Sequence, residues 1–230
     1  MTARLSLESA RQGALRTLPV ALSVFAYGMV YGLLTRQAGL SMTESILSSG
    51  LVFAGSVQFV ALDMWTHPLP ITALIFTTFI VNLRHVLMSA SLAPWMRGLP
   101  PRTTLPLLFL LVDESWAMTY GAVQRDKADI GFLLGSGLLL WAAWMGATIT
   151  GRLAGAAIPD PEAFGLDFAF TAVFLSLLAG LWKGKGDIPP WLAAAVTALA
   201  VHHFLPGKWY IVAGGLAGSL TGLWGANADR

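Results

Sequence analysis

The chain has 230 residues, of which 56% are hydrophobic and only 11% charged, with a mean hydropathy of +0.67. Soluble domains carry roughly 25% charged residues, so this composition excludes a water-soluble globule and requires a membrane-embedded chain. The net charge of +2 comes from scattered basic residues, which excludes nucleic acid as a natural partner, and the absence of cysteine excludes disulfides, thiolate metal sites and thiol catalysis.

In chain order, Leu5, Ala10, Ala14 and Leu15 are interleaved with Arg4, Glu8 and Arg11, so residues 1–15 are expected to form a short amphipathic helix on the membrane surface. The apolar run from Thr17 to Thr35 is too long for a signal-peptide core and leads into further spans, so it reads as the first transmembrane helix. Stretches free of charge then predict spans near 17–36, 45–66, 69–93, 104–122, 130–151, 164–182, 188–205 and 209–226, most of them near the roughly 20 residues a helix needs to cross the hydrocarbon. The expected fold is therefore an all-α, polytopic membrane helix bundle of about eight transmembrane helices, forming one domain over residues 1–230. The sixth and seventh spans are the shortest, and the seventh opens with Pro189 and Pro190, so these two are the expected broken or re-entrant segments.

With the N-terminus placed in the cytoplasm, eight basic residues fall inside and five outside, a modest positive-inside bias. Gly39-Leu40-Ser41 before the second span is echoed by Gly165-Leu166-Asp167 before the sixth, which suggests two related four-helix halves. Glycines recur four apart at Gly28 and Gly32, Gly131 and Gly135, Gly151 and Gly155, and Gly214, Gly218 and Gly222. Such faces serve close helix packing, or else one of them receives a second membrane subunit. Trp65, Trp95, Trp182, Trp191 and Trp209 lie near span ends, as interfacial anchors do.

Two spans carry charge at depth. Between Arg102 and Arg125 the only charged residues are Asp113 and Glu114, at the centre, and residues 68–96 hold Arg84 and His85 as their only ionisable groups. A charged side chain at the bilayer centre costs roughly 2.5 to 3.5 kcal/mol on insertion scales, so it persists mainly where it has a role. Asn82, His85 and Ser89 share a helix face, while Arg84 is offset from Asn82 by about 200°. Either that helix is enclosed on several sides or its geometry breaks near Asn82.

Arg84 has two compatible readings, a structural bridge to Asp113 or Glu114 and a fork for an anionic carboxylate. The acidic residues are about 100° apart on a helix, so one of them faces any given cavity. That one can carry a proton or pair with an ammonium. His85 joins a proton relay with Glu114 and Asp113, or is satisfied by a backbone carbonyl. In the second span, Gly55 and Ser56 beside the Gln58 amide let a ligand or another backbone approach closely, with an interhelical hydrogen bond as the alternative for Gln58. Asp167 reads as a helix cap or a gate. His202 and His203 lack a partner cluster, so no metal or cofactor is expected.

Pro19, Val52-Phe53-Ala54-Gly55-Ser56-Val57-Gln58-Phe59, Asn82-Leu83-Arg84-His85 through Ser89, Asp113-Glu114 and Gly165-Leu166-Asp167-Phe168-Ala169-Phe170 extend over most of the chain. In this combination the sequence resembles the AzlC-like, or YgaZ-type, family of branched-chain amino acid exporters. The resemblance implies efflux of leucine, isoleucine and valine, with methionine as a further candidate, across a bacterial cytoplasmic membrane. It also implies a small AzlD-type membrane subunit as partner.

The residues suit a secondary transporter for a zwitterion. Arg84, Asn82 and Gln58 are candidates for the carboxylate, Asp113 or Glu114 for the ammonium, and Phe53, Phe59 and Met88 for the branched side chain. No GxxxxGK[ST] loop occurs, so protons or substrate exchange are the expected energy source rather than ATP. The alternatives are a passive channel or structural subunit whose pore lies in a partner and, further off, an intramembrane enzyme using Asp113, Glu114 and His85.

Overall fold

The computed structural model describes residues 5–125, 128–156, 175, 179, 182, 184–205 and 209–228, with the side chains of 211, 212 and 224–228 left aside. Helices account for the regular structure, and among the described residues there is no strand. Among the described residues, three helices are long and apolar enough to cross a membrane: α1 (Leu7–Gln37), α4 (Ile71–Met96) and α7 (Gly131–Gly155).

Ser6 caps α1 by accepting from the Ser9 amide at 3.2 Å, and the helix then runs unbroken through Pro19 to Gln37. Residues 7–15 are therefore continuous with the first span in a single helix. Their apolar residues simply continue the stripe of the span that follows.

The second span is interrupted. A capping box of Ser41 and Glu44 starts α2 (Met42–Leu47), a π-helical turn follows over Ser48–Val52, and Phe53 takes a left-handed conformation at φ 41, ψ 49. The chain restarts as α3 (Gly55–Asp63). The fourth span is interrupted too, between α5 (Pro101–Phe109) and α6 (Asp113–Val123). Ser115 stitches that gap, its hydroxyl accepting from the Val112 amide at 2.9 Å and donating to the Leu110 carbonyl at 2.8 Å.

The observed breaks thus lie in spans two and four. Over the seventh span, α8 (Ile188–Phe204) is continuous after a 3-10 turn at Lys185–Asp187, its two prolines sitting in the first turn, where no helical N–H is lost. Most of span six, including Asp167 and the Gly165-Leu166-Asp167 echo, lies outside the described residues.

The chain divides into two compact units, Met1–Trp65 with Val81–Leu166, and Thr66–Ile80 with Asp167–Arg230. In the first unit, α1 and α7 pack along their whole length through glycine. A Cβ on Gly13, Gly32, Gly135 or Gly151 would collide with the carbonyl of Phe132, Thr148, Ala10 or Met29 respectively. These pairs rise together along both helices, so α1 and α7 are parallel, and the chain between them crosses the bilayer an odd number of times.

At one end of this pair Asp129 accepts from the Gly131 amide at 2.8 Å and from the Ser6 amide at 3.4 Å, while Ser9 bonds both backbone groups of Asp129. At the other end Arg152 donates to the Leu40 carbonyl and to Thr35. An apolar core of Met88, Leu92, Met96, Leu107, Leu111, Val123, Ile130 and Leu133 joins α4, α5, α6 and α7.

In the second unit α8 packs against α9 (Trp209–Ala228) as an antiparallel hairpin. A Cβ on Gly214 would stand 2.9 Å from the Ala194 carbonyl oxygen, and one on Gly218 3.1 Å from that of Pro190. The glycine faces of α1, α7 and α9 are thus used for packing within the chain.

Candidate substrate site

Both interruptions present the start of a new helix, and one side chain joins them. Arg84 of α4 donates through Nη2 to Ser56 Oγ at 2.6 Å and through Nη1 to Asp113 Oδ2 at 2.8 Å. Ser56 is the second residue of α3 and Asp113 the first of α6.

The first turn of a helix has amides without intrahelical acceptors and carries the positive end of the backbone dipole. No side chain caps α3. Two such termini and a guanidinium therefore gather positive potential around one carboxylate, Asp113. The Arg84 and Asp113 side chains are 38% and 49% exposed, so the pair is open to a ligand rather than sealed in the core. Arg84 Nε, by contrast, is buried and has no hydrogen-bond partner among the described residues, and the same holds for Asn82 Oδ1.

The fork on Arg84 follows from position. The helix α4 is regular throughout, without a break at Asn82, so Arg84 and Asn82 leave it in different directions. His85 Nδ1 lies 3.2 Å from the Asn82 carbonyl, and Ser89 donates to the Val86 carbonyl at 3.0 Å. Both are held by their own helix. Glu114, one residue beyond Asp113, is half-buried.

Gln58 is placed elsewhere. Its side chain is buried, and its Nε2 donates to Ser48 Oγ at 3.2 Å and Ser49 Oγ at 3.5 Å. The indole N–H of Trp144 donates to Gln58 Oε1 at 3.1 Å. Tyr31 pairs with Ser48 and Thr148 with Ser49, both at 2.8 Å, and close a polar network under the first break. Nothing in the order of residues joins these groups, because Tyr31, Ser49, Trp144 and Thr148 each stand in charge-free apolar runs. The signal available is spacing: Trp141, Trp144 and Thr148 lie three and four apart on α7, on one face of the helix.

Of the residues expected to receive a branched side chain, Phe59 is packed between Tyr31 and Trp144, and Met88 belongs to the apolar core. Phe53 is buried at the first break with its ring 6.1 Å from that of Phe109, the last residue before the second. The two breaks are therefore joined on one side by aromatic rings and on the other by Arg84. Asp167 lies outside the described residues.

Discontinuous helices whose half-helix termini converge on an intramembrane charged pair are the architecture of membrane transport proteins. The chain belongs to the AzlC family: the family model described as AzlC protein matches residues 19–158, a range that contains both breaks, Arg84 and Asp113. It is 31% identical over 216 residues to an uncharacterized membrane protein of Archaeoglobus fulgidus, covering 93% of this chain and 94% of that one. The branched-chain amino acid transport protein AzlC of Bacillus subtilis is 31% identical over 168 residues, 72% of this chain and 65% of that protein. The inner membrane protein YgaZ of Escherichia coli is 28% identical over 219 residues, 92% of this chain and 89% of that protein. No solved structure matches. The protein is a helical membrane protein of a transport family.

Proposed function

We propose that this protein is the large subunit of a secondary transporter that exports neutral, branched-chain amino acids, with Arg84 as the anchor for the substrate carboxylate. The observation that carries the reading is the bridge from Arg84 to Ser56 and Asp113, which sets a guanidinium between two half-helix N-termini. A carboxylate entering there takes the place of Asp113 on the guanidinium and gains the first-turn amides of α3 as further donors. Asp113, released, is free to meet the substrate ammonium or take up a proton, with Glu114 beside it as the second acid. Because Gln58 is committed to Trp144 and the serines, the carboxylate site is built from Arg84, Ser56 and the α3 turn. Asn82 adds only its unpartnered Oδ1.

The printed name of the Bacillus subtilis relative supports branched-chain amino acids as the substrate class. A hydrophobic pocket discriminates by about 1 to 3 kcal/mol per methylene, so leucine, isoleucine and valine share the site, and methionine fits the same logic. A small AzlD-type membrane protein completes the assembly, the N-terminus is cytoplasmic, and the proton gradient or substrate exchange supplies the energy. The relatives' names favour a carrier over an enzyme.

Counterflow tests this reading. Proteoliposomes preloaded with unlabelled leucine should accumulate labelled leucine transiently, and Arg84→Ala should remove that signal while the protein still inserts. Non-saturable flux without counterflow would instead support a channel.

A further inference from the structure

We propose that Trp144 is a positioning residue for the Arg84 site: it holds the first turn of α3 so that Ser56 meets the guanidinium. The inference rests on the reading of Arg84 as the carboxylate anchor.

The half-helix α3 begins without a side-chain cap, two residues after Phe53 in the left-handed conformation. Its own hydrogen bonds do not fix where Ser56 stands, since a nine-residue helix preceded by a π turn has little intrinsic rigidity. The neighbouring α7 supplies what is missing, through one face. The Trp144 ring covers Gly55, where a Cβ would stand 3.2 Å from the indole, and its N–H donates to Gln58, one turn further along α3. An indole only donates, so Gln58 turns Oε1 toward it and leaves Nε2 for Ser48 and Ser49 on the other side of the break.

Trp144 thereby ties both sides of the discontinuity through a single amide. It is itself immobilised: the ring stacks on Tyr31 at 5.5 Å, and α7 is locked to α1 along the glycine seam. The same α7 face reaches the other parts of the site. Trp141 donates to the Gly50 carbonyl at 3.2 Å, and Gly137 lies against Leu110 at the second break, where a Cβ would come within 2.8 Å of the carbonyl oxygen. Ser56 lies in sequence between Gly55 and Gln58, two of the residues Trp144 contacts. A shift of the indole therefore moves the hydroxyl that Arg84 uses.

A residue that merely fills the core would lower stability without a specific effect on Ser56. The test uses the whole protein, which lacks cysteine, so Ser56→Cys introduces a sole thiol. Its labelling by a membrane-permeant maleimide should speed up on the order of fivefold when Trp144→Phe removes the N–H but keeps the ring. In parallel, labelled-leucine transport by Trp144→Phe should show KM raised on the order of fivefold with Vmax little changed. Adding Ser56→Ala should bring little further loss, because both changes break the same contact.

Gly55→Ala, which presses the turn away from the indole without removing a polar group, should raise KM in the same direction and serves if Trp144→Phe accumulates poorly. Labelling unaffected by Trp144→Phe, or fold-changes of Trp144→Phe and Ser56→Ala that simply multiply, would overturn the proposal. Faster labelling in a protein that moves no leucine in any form would support the positioning role and remove the substrate reading instead.

Discussion

Arg84 and Asp113 meet at 2.8 Å although 28 residues and a helix interruption separate them, and the same guanidinium holds Ser56 at 2.6 Å. The ion pair thus closes a joint between three segments: an unbroken helix and two helices that start at the same place. An Arg–carboxylate pair that is more than a third exposed adds little to stability by itself. Its value here is geometric, because it fixes two termini whose dipoles favour an anion.

Replacement of Arg84 by lysine retains the charge but loses the fork that spans Ser56 and Asp113. Leucine transport is expected to fall about tenfold to a hundredfold, in line with about 1.5 to 3 kcal/mol for a hydrogen bond to a charged group. Protein abundance in the membrane should match the unmodified chain. Transport at the original rate with equal abundance removes Arg84 from the site.

The adjacent acids should separate. Asp113→Asn removes the partner of Arg84 and is expected to abolish proton-driven export, whereas Glu114→Gln leaves the bridge in place and should cost less than Asp113→Asn. Flux measured with and without an imposed pH gradient reads the difference. Both variants retaining gradient-driven export would exclude the pair from proton coupling.

The glycine seam makes a stability prediction. Gly135→Val drives a side chain into the Ala10 carbonyl and is expected to destabilise the protein by about 1 to 3 kcal/mol or more. Gly121→Ala is the control: among the described residues no atom beyond its own stretch of helix lies within 4 Å of the added methyl, so stability should stay level or rise by up to about 1 kcal/mol. Thermal unfolding in detergent compares the two. Equal behaviour would mean that α1 and α7 do not pack this closely.

Asp129 was not singled out by its sequence context, yet its carboxylate accepts from the Gly131 and Ser6 amides and so joins the starts of α7 and α1. Asp129→Ala should cost about 0.5 to 2 kcal/mol, as loss of a helix cap does. Asp129→Asn, which keeps an acceptor oxygen, should recover most of it. The same thermal measurement checks both, and an alanine variant as stable as the asparagine one would show that the link is dispensable.

Composition and the spacing of charge were enough to establish a helical membrane bundle and to single out Arg84 and Asp113, because a charge inside an apolar run is costly wherever the run folds. The four-residue glycine spacing likewise announced close helix contacts. The sequence could not locate the breaks. Spans two and four are long and apolar, and the shortness of spans six and seven drew the expectation there. The interruption at Phe53 is stabilised by Gln58, Trp144 and the serines, and the one at Leu110 to Val112 by Ser115 and by Gly137 of α7. Trp144 and Gly137 come from a part of the chain far from either break. Tertiary structure also decided that Gln58 belongs to the scaffold and Arg84 to the joint. A residue's type sets what it can bond, but which partner it meets depends on the register of helices that pack only after the chain has folded.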